Sequence, residues 1–129
     1  MSLVSHSEPR VKAFIASGDL SAKQYCFVKL SSNGKTVAAC GANERACGIL
    51  MNAPGDGERA EVALPGGGGL LKIGEDVALG KMLTSMSTSL GEVADAAGEW
   101  VGAVAYDSGV TNDVISVEVC GFPAQATDA

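Results

Sequence analysis

Aromatic side chains are scarce in this 129-residue chain: one Trp, two Tyr and three Phe, 5% of the total. A core must therefore be assembled from Ala, Val, Leu and Ile. Histidine is scarcer still, because His6 is the single imidazole. A Ser-His-Asp triad needs a His held by packed structure, and a Cys nucleophile needs a base to raise its thiolate fraction. His6 lies in a polar, aperiodic N-terminal stretch and suits neither role. The four cysteines, Cys26, Cys40, Cys47 and Cys120, contain no C-x-x-C pair, so zinc-site spacing is missing. No EF-hand spacing is present either. The opening residues MSLVSHSEPR lack the charged start and apolar run of a secretory signal, and no apolar stretch approaches a membrane span. These absences predict a reducing compartment with four free, mostly buried thiols. They exclude a membrane partner and leave no cofactor or small-molecule substrate to expect. Clustered Lys and Arg are also missing, which argues against nucleic acid as a partner.

What is present is glycine, 17 residues spread along the chain, and a composition that is 47% hydrophobic. Many glycines mean many tight turns, and many turns mean short strands. At 13.0 kDa the chain suits one domain that leaves roughly 6,000 Å² of an unfolded 19,000 Å² exposed. Charge is uneven. Residues 1–64 hold seven Lys/Arg and six Asp/Glu, whereas residues 65–129 hold two and nine, giving +1 and −7. The second half is an acidic body.

Read along the chain, residues 1–10 form a polar arm. Val11 to Ala16 alternates, with Val11, Ala13 and Ile15 on one face and Phe14 on the other. Tyr25 to Leu30 reads as a strand, Asn33-Gly34 is a strong hairpin signal, and Lys35 to Ala39 returns as its partner. Ala46 to Asn52 and Glu58 to Leu64 are further strands. Pro65 and Gly66 to Gly69 read as a linker or tight crossing. A phosphate loop there would need a following Lys-Ser/Thr and a helix, and Gly80-Lys81 lacks that motif too. Gly80 to Thr84 could open a strand, and Glu92 to Ala97 suits a strand or a helical turn. Trp100 to Tyr106 and Val114 to Cys120 are strands, the latter with Ser116 and Glu118 outward and ended by Gly121-Phe122-Pro123. Gly74 to Met82 is the best helical candidate, and it is short. Carboxylate pairs such as Glu75-Asp76, or Asp95 with Glu99, read as a solvated face, since a glycosidase cleft would need aromatic lining. The expected fold is all-β: a compact β-barrel or β-sandwich of short strands with at most one or two short helices, spanning residues 11–123 between an arm at 1–10 and a tail at 124–129. A weak internal repeat at a separation of about 55 residues sets Gly34 through Ala60-Glu61-Val62-Ala63 against Gly91 through Val117-Glu118-Val119-Cys120, and suggests two similar β-units packed together.

Several of these segments together resemble the capsid cement, or head decoration, proteins of tailed bacteriophages. They are Val11 to Leu20, Val28-Lys29-Leu30-Ser31, Asn33-Gly34-Lys35, Cys47-Gly48-Ile49-Leu50, Glu61-Val62-Ala63-Leu64, Gly80 to Thr84, Trp100 to Ala105 and Ser116 to Val119. The resemblance covers residues 11–121. It implies a β-tulip-like domain, made in the host cytoplasm, that binds the outer surface of the virion capsid. It also implies a homotrimer at threefold and quasi-threefold axes, clamping the major capsid protein without catalysis. The arm then meets the capsid through Ser5, His6, Glu8, Pro9, Arg10 and Lys12. Four cysteines and C-terminal acidity depart from that pattern. Other readings are a small β-barrel binding module for carbohydrate or peptide, using Tyr25, Trp100, Tyr106 or Phe122, and another virion part such as a tail or spike subunit.

Overall fold

The computed structural model describes residues 10–124. Ten strands follow one another: β1 (Val11–Ala16), β2 (Phe27–Leu30), β3 (Thr36–Ala39), β4 (Gly48–Leu50), β5 (Arg59–Ala63), β6 (Gly68–Lys72), β7 (Met82–Ser85), β8 (Gly91–Val93), β9 (Trp100–Ala105) and β10 (Val114–Pro123). The protein is all-β, with no helix among the described residues. The helical candidate at Gly74 to Met82 is extended chain and turn instead. Val77 bridges Gly109 there, and Gly80 turns with φ near 89°.

The first five strands close into a barrel in the order β1-β3-β2-β4-β5, with β1 parallel to β3 and antiparallel to β5. The last five form a sheet in the order β6-β10-β9-β7-β8. This sheet curls until Ile73, just past β6, meets Gly91 of β8 in a parallel bridge. The two orders become identical when each strand of the first set is replaced by the strand five places later. Registers agree as well. Val28 pairs with Ala39 and Gly48, and Leu83, 55 positions on, pairs with Val93 and Ala103. Ser17 N–H donates to Val37 C=O at 2.8 Å, and Gly74 N–H donates to Gly91 C=O at 2.8 Å. The weak sequence repeat is therefore a structural duplication. Strand pairing aligns Val62 with Val117, since each pairs with its counterpart Leu50 or Ala105. The sequence match of Val62 to Val119 is thus two residues too far along, a slip that preserves the face.

Backbone strain repeats with the same spacing. Among the described residues, four non-glycine residues have positive φ: Tyr25, Asn43, Ser89 and Asn112. Each has a positive-φ glycine 55 positions away in the other half, namely Gly80, Gly98, Gly34 and Gly57. L-residues pay roughly 1–2 kcal/mol in that region, so the turns, not the side chains occupying them, are the common inheritance of the halves.

Two buried clusters hold the molecule. Phe14, Ala16, Val28, Val37, Leu50, Ala60 and Val62 fill the first barrel. Leu71, Ile73, Leu83, Ala105, Ile115, Val117 and Val119 line the second, and Phe27, Ile49 and Ala63 join them from the outer wall of the first. Strands β2, β4 and β5 are thus buried on both sides. That explains why Phe27-Val28 and Ile49-Leu50 are continuous apolar pairs and not alternating ones. The join is tight. A Cβ on Gly102 would lie 2.6 Å from the Phe27 ring.

Beyond small trims at the ends of β2 and β4, two boundaries differ from the sequence reading. Gly68 and Gly69 begin β6 instead of belonging to a linker, because Gly69 packs beneath Val119, Ala63 and Ile49. Strand β10 runs on through Gly121-Phe122-Pro123, passing a register shift between Val119 and Phe122; such a bulge tolerates a Gly and a terminal Pro. The Asn33-Gly34 hairpin forms as expected, but only Gly34 has positive φ. Asn33 acts through its side chain, whose Oδ1 accepts the N–H groups of Lys35 (2.8 Å) and Thr36 (3.2 Å).

The Phe27–Gly102 contact predicts that Gly102→Ala lowers stability by about 1–3 kcal/mol through overpacking. Adding Phe27→Leu should recover part of that loss, measured by chemical denaturation. Independent, additive effects of the two substitutions would show that the ring does not set the join.

Candidate functional site

Of the residues expected to meet a partner, Ser5, His6, Glu8 and Pro9 lie outside the described residues. Arg10 and Lys12 are described, and both are exposed. Arg10 is anchored: its C=O accepts the Leu64 N–H at 2.6 Å and its guanidinium donates to the Pro65 C=O at 3.3 Å. It continues the β1–β5 ladder at the corner where the chain passes between barrels. Lys12 stands at the mouth of the first barrel, its Nζ 5.6 Å from the centroid of the Phe14 ring.

The alternation in β1 places Phe14 and Ala16 inward, as their burial shows, while Val11, Ala13 and Ile15 face solvent. Val11 is 50% exposed and Ile15 44%. An apolar row on an outer wall is unusual for a strand flanked on both sides, and β1 is not fully flanked. It pairs with β5 from Val11 to Ile15 but meets β3 only at Ile15 and Ala16. Ile15 N–H donates to Lys35 C=O at 3.0 Å. One step outward, the ladder would continue from the Lys35 N–H to the Ala13 C=O, but the Lys35 N–H is turned to Asn33 Oδ1. In an antiparallel pair, backbone groups alternate between the partner and the opposite side. Ala16 N–H donates to Glu58 C=O, so the even residues of β1 bond β5 and the odd ones point away. Val11 and Ala13 therefore direct their N–H and C=O groups along an open edge, where they meet no partner among the described residues.

Beside that edge lies a groove of about 460 Å³ lined by Lys12, Ala13, Phe14, Ile15, Gly34, Lys35 and Arg59. Three cations surround an apolar floor. Arg59 Nε lies 3.5 Å from Glu61 Oε2, with both side chains well exposed, a weak pairing in water. The sequence reading selected Lys12 but missed Lys35 and Arg59, which no local pattern marks; strand pairing alone brings residues 12, 35 and 59 together. None of the four aromatics considered for a binding cleft lines this groove. Trp100 instead packs on the second core with the Arg45 guanidinium 4.5 Å above its ring.

The second barrel presents a different surface. Leu79, Val110 and Tyr106 are 66%, 58% and 46% exposed. Their segments are tied together by the Val77–Gly109 bridge and by the Gly80 N–H donating to Ala105 C=O at 2.8 Å. Carboxylates gather elsewhere on this half, and some of them accept backbone N–H groups. Glu75 Oε2 accepts the Val93 N–H at 2.7 Å, and Glu99 Oε1 accepts the Ala96 N–H at 3.0 Å. Among the described residues, no group of three or more His, Cys, Asp or Glu could hold a metal ion. All four thiols are free, with Cys26 and Cys40 buried. Burial, with Glu44 close by, pushes Cys40 up to about 12, far from a reactive thiolate.

No protein family and no curated protein matches the chain by sequence. Among solved structures, the fold is similar to the head fiber gp8.5 N base of bacteriophage phi29. The TM-score is 0.66 at 13% identity, covering 85% of this chain and 92% of that one. At that identity the likeness shows the fold, and it extends over both barrels.

Burial, reinforced by the nearby carboxylates of Glu75, Glu99 and Asp95, raises the Glu92 pKa above its ordinary value. A carboxyl whose folded pKa is raised carries a folding penalty above that pKa, and the penalty vanishes once both states are protonated. Glu92→Gln should therefore raise Tm by a few degrees near pH 7. The gain should shrink as pH falls through the raised pKa and disappear below the ordinary carboxylate range. A gain independent of pH, followed by thermal melts, would assign the effect to something other than charge.

Proposed function

We propose that this chain is a non-catalytic structural component of a bacteriophage virion, carried on the outer surface of the head. The observation that carries the reading is the match, over nearly the whole of both chains, to a protein described as the base of a phage head fiber. Composition agrees with it. A barrel pair built from small aliphatic side chains, in which carboxylates such as Glu75 and Glu99 hold backbone N–H groups, is equipped to present surfaces more than to perform chemistry. Exposed apolar groups on both barrels, Val11 and Ile15 on the first and Leu79 and Val110 on the second, suit a molecule whose work is contact.

The finer reading is that of a cement or decoration protein. Three copies meet at threefold and quasi-threefold axes and hold neighbouring major capsid subunits together. Repetition of modest contacts around a trimer raises avidity by orders of magnitude without any single strong site. Arg10 leads into β1 beside the corner at Leu64 and Pro65, and the residues before it supply an additional attachment through Ser5, His6, Glu8 and Pro9.

The test uses heads assembled without this chain, from the phage that encodes it, mixed with the purified protein and imaged. Density in threes at the outer surface is expected, together with a trimer mass for the protein on the shell. Removing residues 2–10 should lower occupancy about tenfold while leaving the fold intact. Heads that bind no copies would refute the virion reading; copies bound in twos would refute the threefold arrangement alone.

A further inference from the structure

The duplication supplies two equivalent seams, and they are not in the same state. In the first barrel, the seam between β1 and β3 closes through Ile15 N–H donating to Lys35 C=O. The counterpart of Ile15 is Lys72, and because the second hairpin is one residue shorter, Ser89, the turn equivalent of Gly34, also takes the ladder position of Lys35. Those two groups do not bond each other. Lys72 N–H donates to Tyr25 C=O at 2.7 Å, and Phe27 N–H donates to Ser89 C=O at 2.9 Å. Tyr25 and Phe27 of the first barrel thus bridge the seam of the second from a turn at the start of β2, and one ladder bond becomes two. The fold accommodates added backbone at this place, because the second seam already holds the turn at Tyr25 and Phe27 between its two sides.

Among the described residues, the seam of the first barrel has no such insert, and outward of Ile15 it is open. Its edge offers the N–H and C=O groups of Val11 and Ala13, and an exposed edge is a template for strand addition. Its outer wall offers the apolar row of Val11, Ala13 and Ile15. Its groove is bordered by Lys12, Lys35 and Arg59, in a chain whose net charge is −6. Among the described residues, Arg59 alone of the three cations has a carboxylate partner, at 3.5 Å. Cationic flanks select an anionic occupant, and strand periodicity places alternate side chains on opposite faces.

We propose that this seam binds an extended segment of a partner protein that alternates apolar and acidic side chains, as an additional strand beside β1. The apolar row packs on Val11, Ala13 and Ile15, and the acidic row comes within reach of Lys12 and Lys35. The inference is independent of the virion reading, because heads play no part in its test.

The probe is a capped hexapeptide of alternating Glu and Val, titrated into the isotopically labelled full chain while amide resonances are followed. Shifts confined to residues 11–15 and 31–35, with slowed exchange of the Ala13 amide, are expected. A Lys-Val peptide should bind at least about tenfold more weakly. Ala13→Pro removes an N–H that no other group among the described residues uses and should abolish binding with the melting temperature retained. Lys35→Glu combined with Arg59→Glu should do the same for a chain with its backbone edge intact. Absence of shifts, equal binding of the Lys peptide, or unchanged binding by both variants overturns the proposal. So does an Ala13 amide already protected in the free protein. Concentration-dependent protection would assign the seam to a second copy, and protection lost on removing residues 2–9 would assign it to the chain's own N-terminal segment.

Discussion

One contact governs how the two halves become a single body: the Phe27 ring lying against the bare backbone of Gly102. No strand of the first barrel is laddered to a strand of the second. The halves are joined by side chains from the outer wall of β2, β4 and β5, and by a few backbone bonds around residues 25–27 and 89. An aromatic side chain buries more area than any aliphatic alternative. In so aromatic-poor a chain, placing the single fully buried phenylalanine at the join concentrates the association there. Glycine on the other side is the geometric complement, since any side chain would displace the ring.

The same contact explains how readable the sequence was. Strands with one wet face, such as β10 with Ser116 and Glu118 outward, carry a period of two and are visible without a structure. Strands buried on both sides lose the alternation, and their limits at β2 and β4 come out two residues short of the apolar runs that suggest them. The glycines at 68 and 69 look like a break because glycine usually punctuates. Here it is needed where β6 passes under Val119 and Ile49, a requirement set by a strand fifty residues away. The duplication was legible as a spacing but not in register, because β1, β3 and the other strands have drifted by different small amounts while keeping their faces.

The candidate site was least legible. Lys12 belonged to a reading centred on the N-terminal segment, and it does stand at the groove. Its companions Lys35 and Arg59 arrive from a hairpin and from the strand opposite, and nothing near them in sequence marks the association. The openness of the edge depends on one side chain: Asn33, by accepting the N–H of Lys35, stops the β1–β3 ladder one bond early. A hairpin residue that appears only to favour a turn therefore decides how much of β1 remains unpaired.

The paired turns carry a consequence for how this molecule can be interrogated. Tyr25 and Gly80, or Ser89 and Gly34, occupy the same backbone geometry in different surroundings, so each supplies a reference for the other. Exchanging residues between such sites separates what a conformation costs from what its neighbours contribute, a separation that ordinarily requires two homologous proteins and here is contained within one polypeptide.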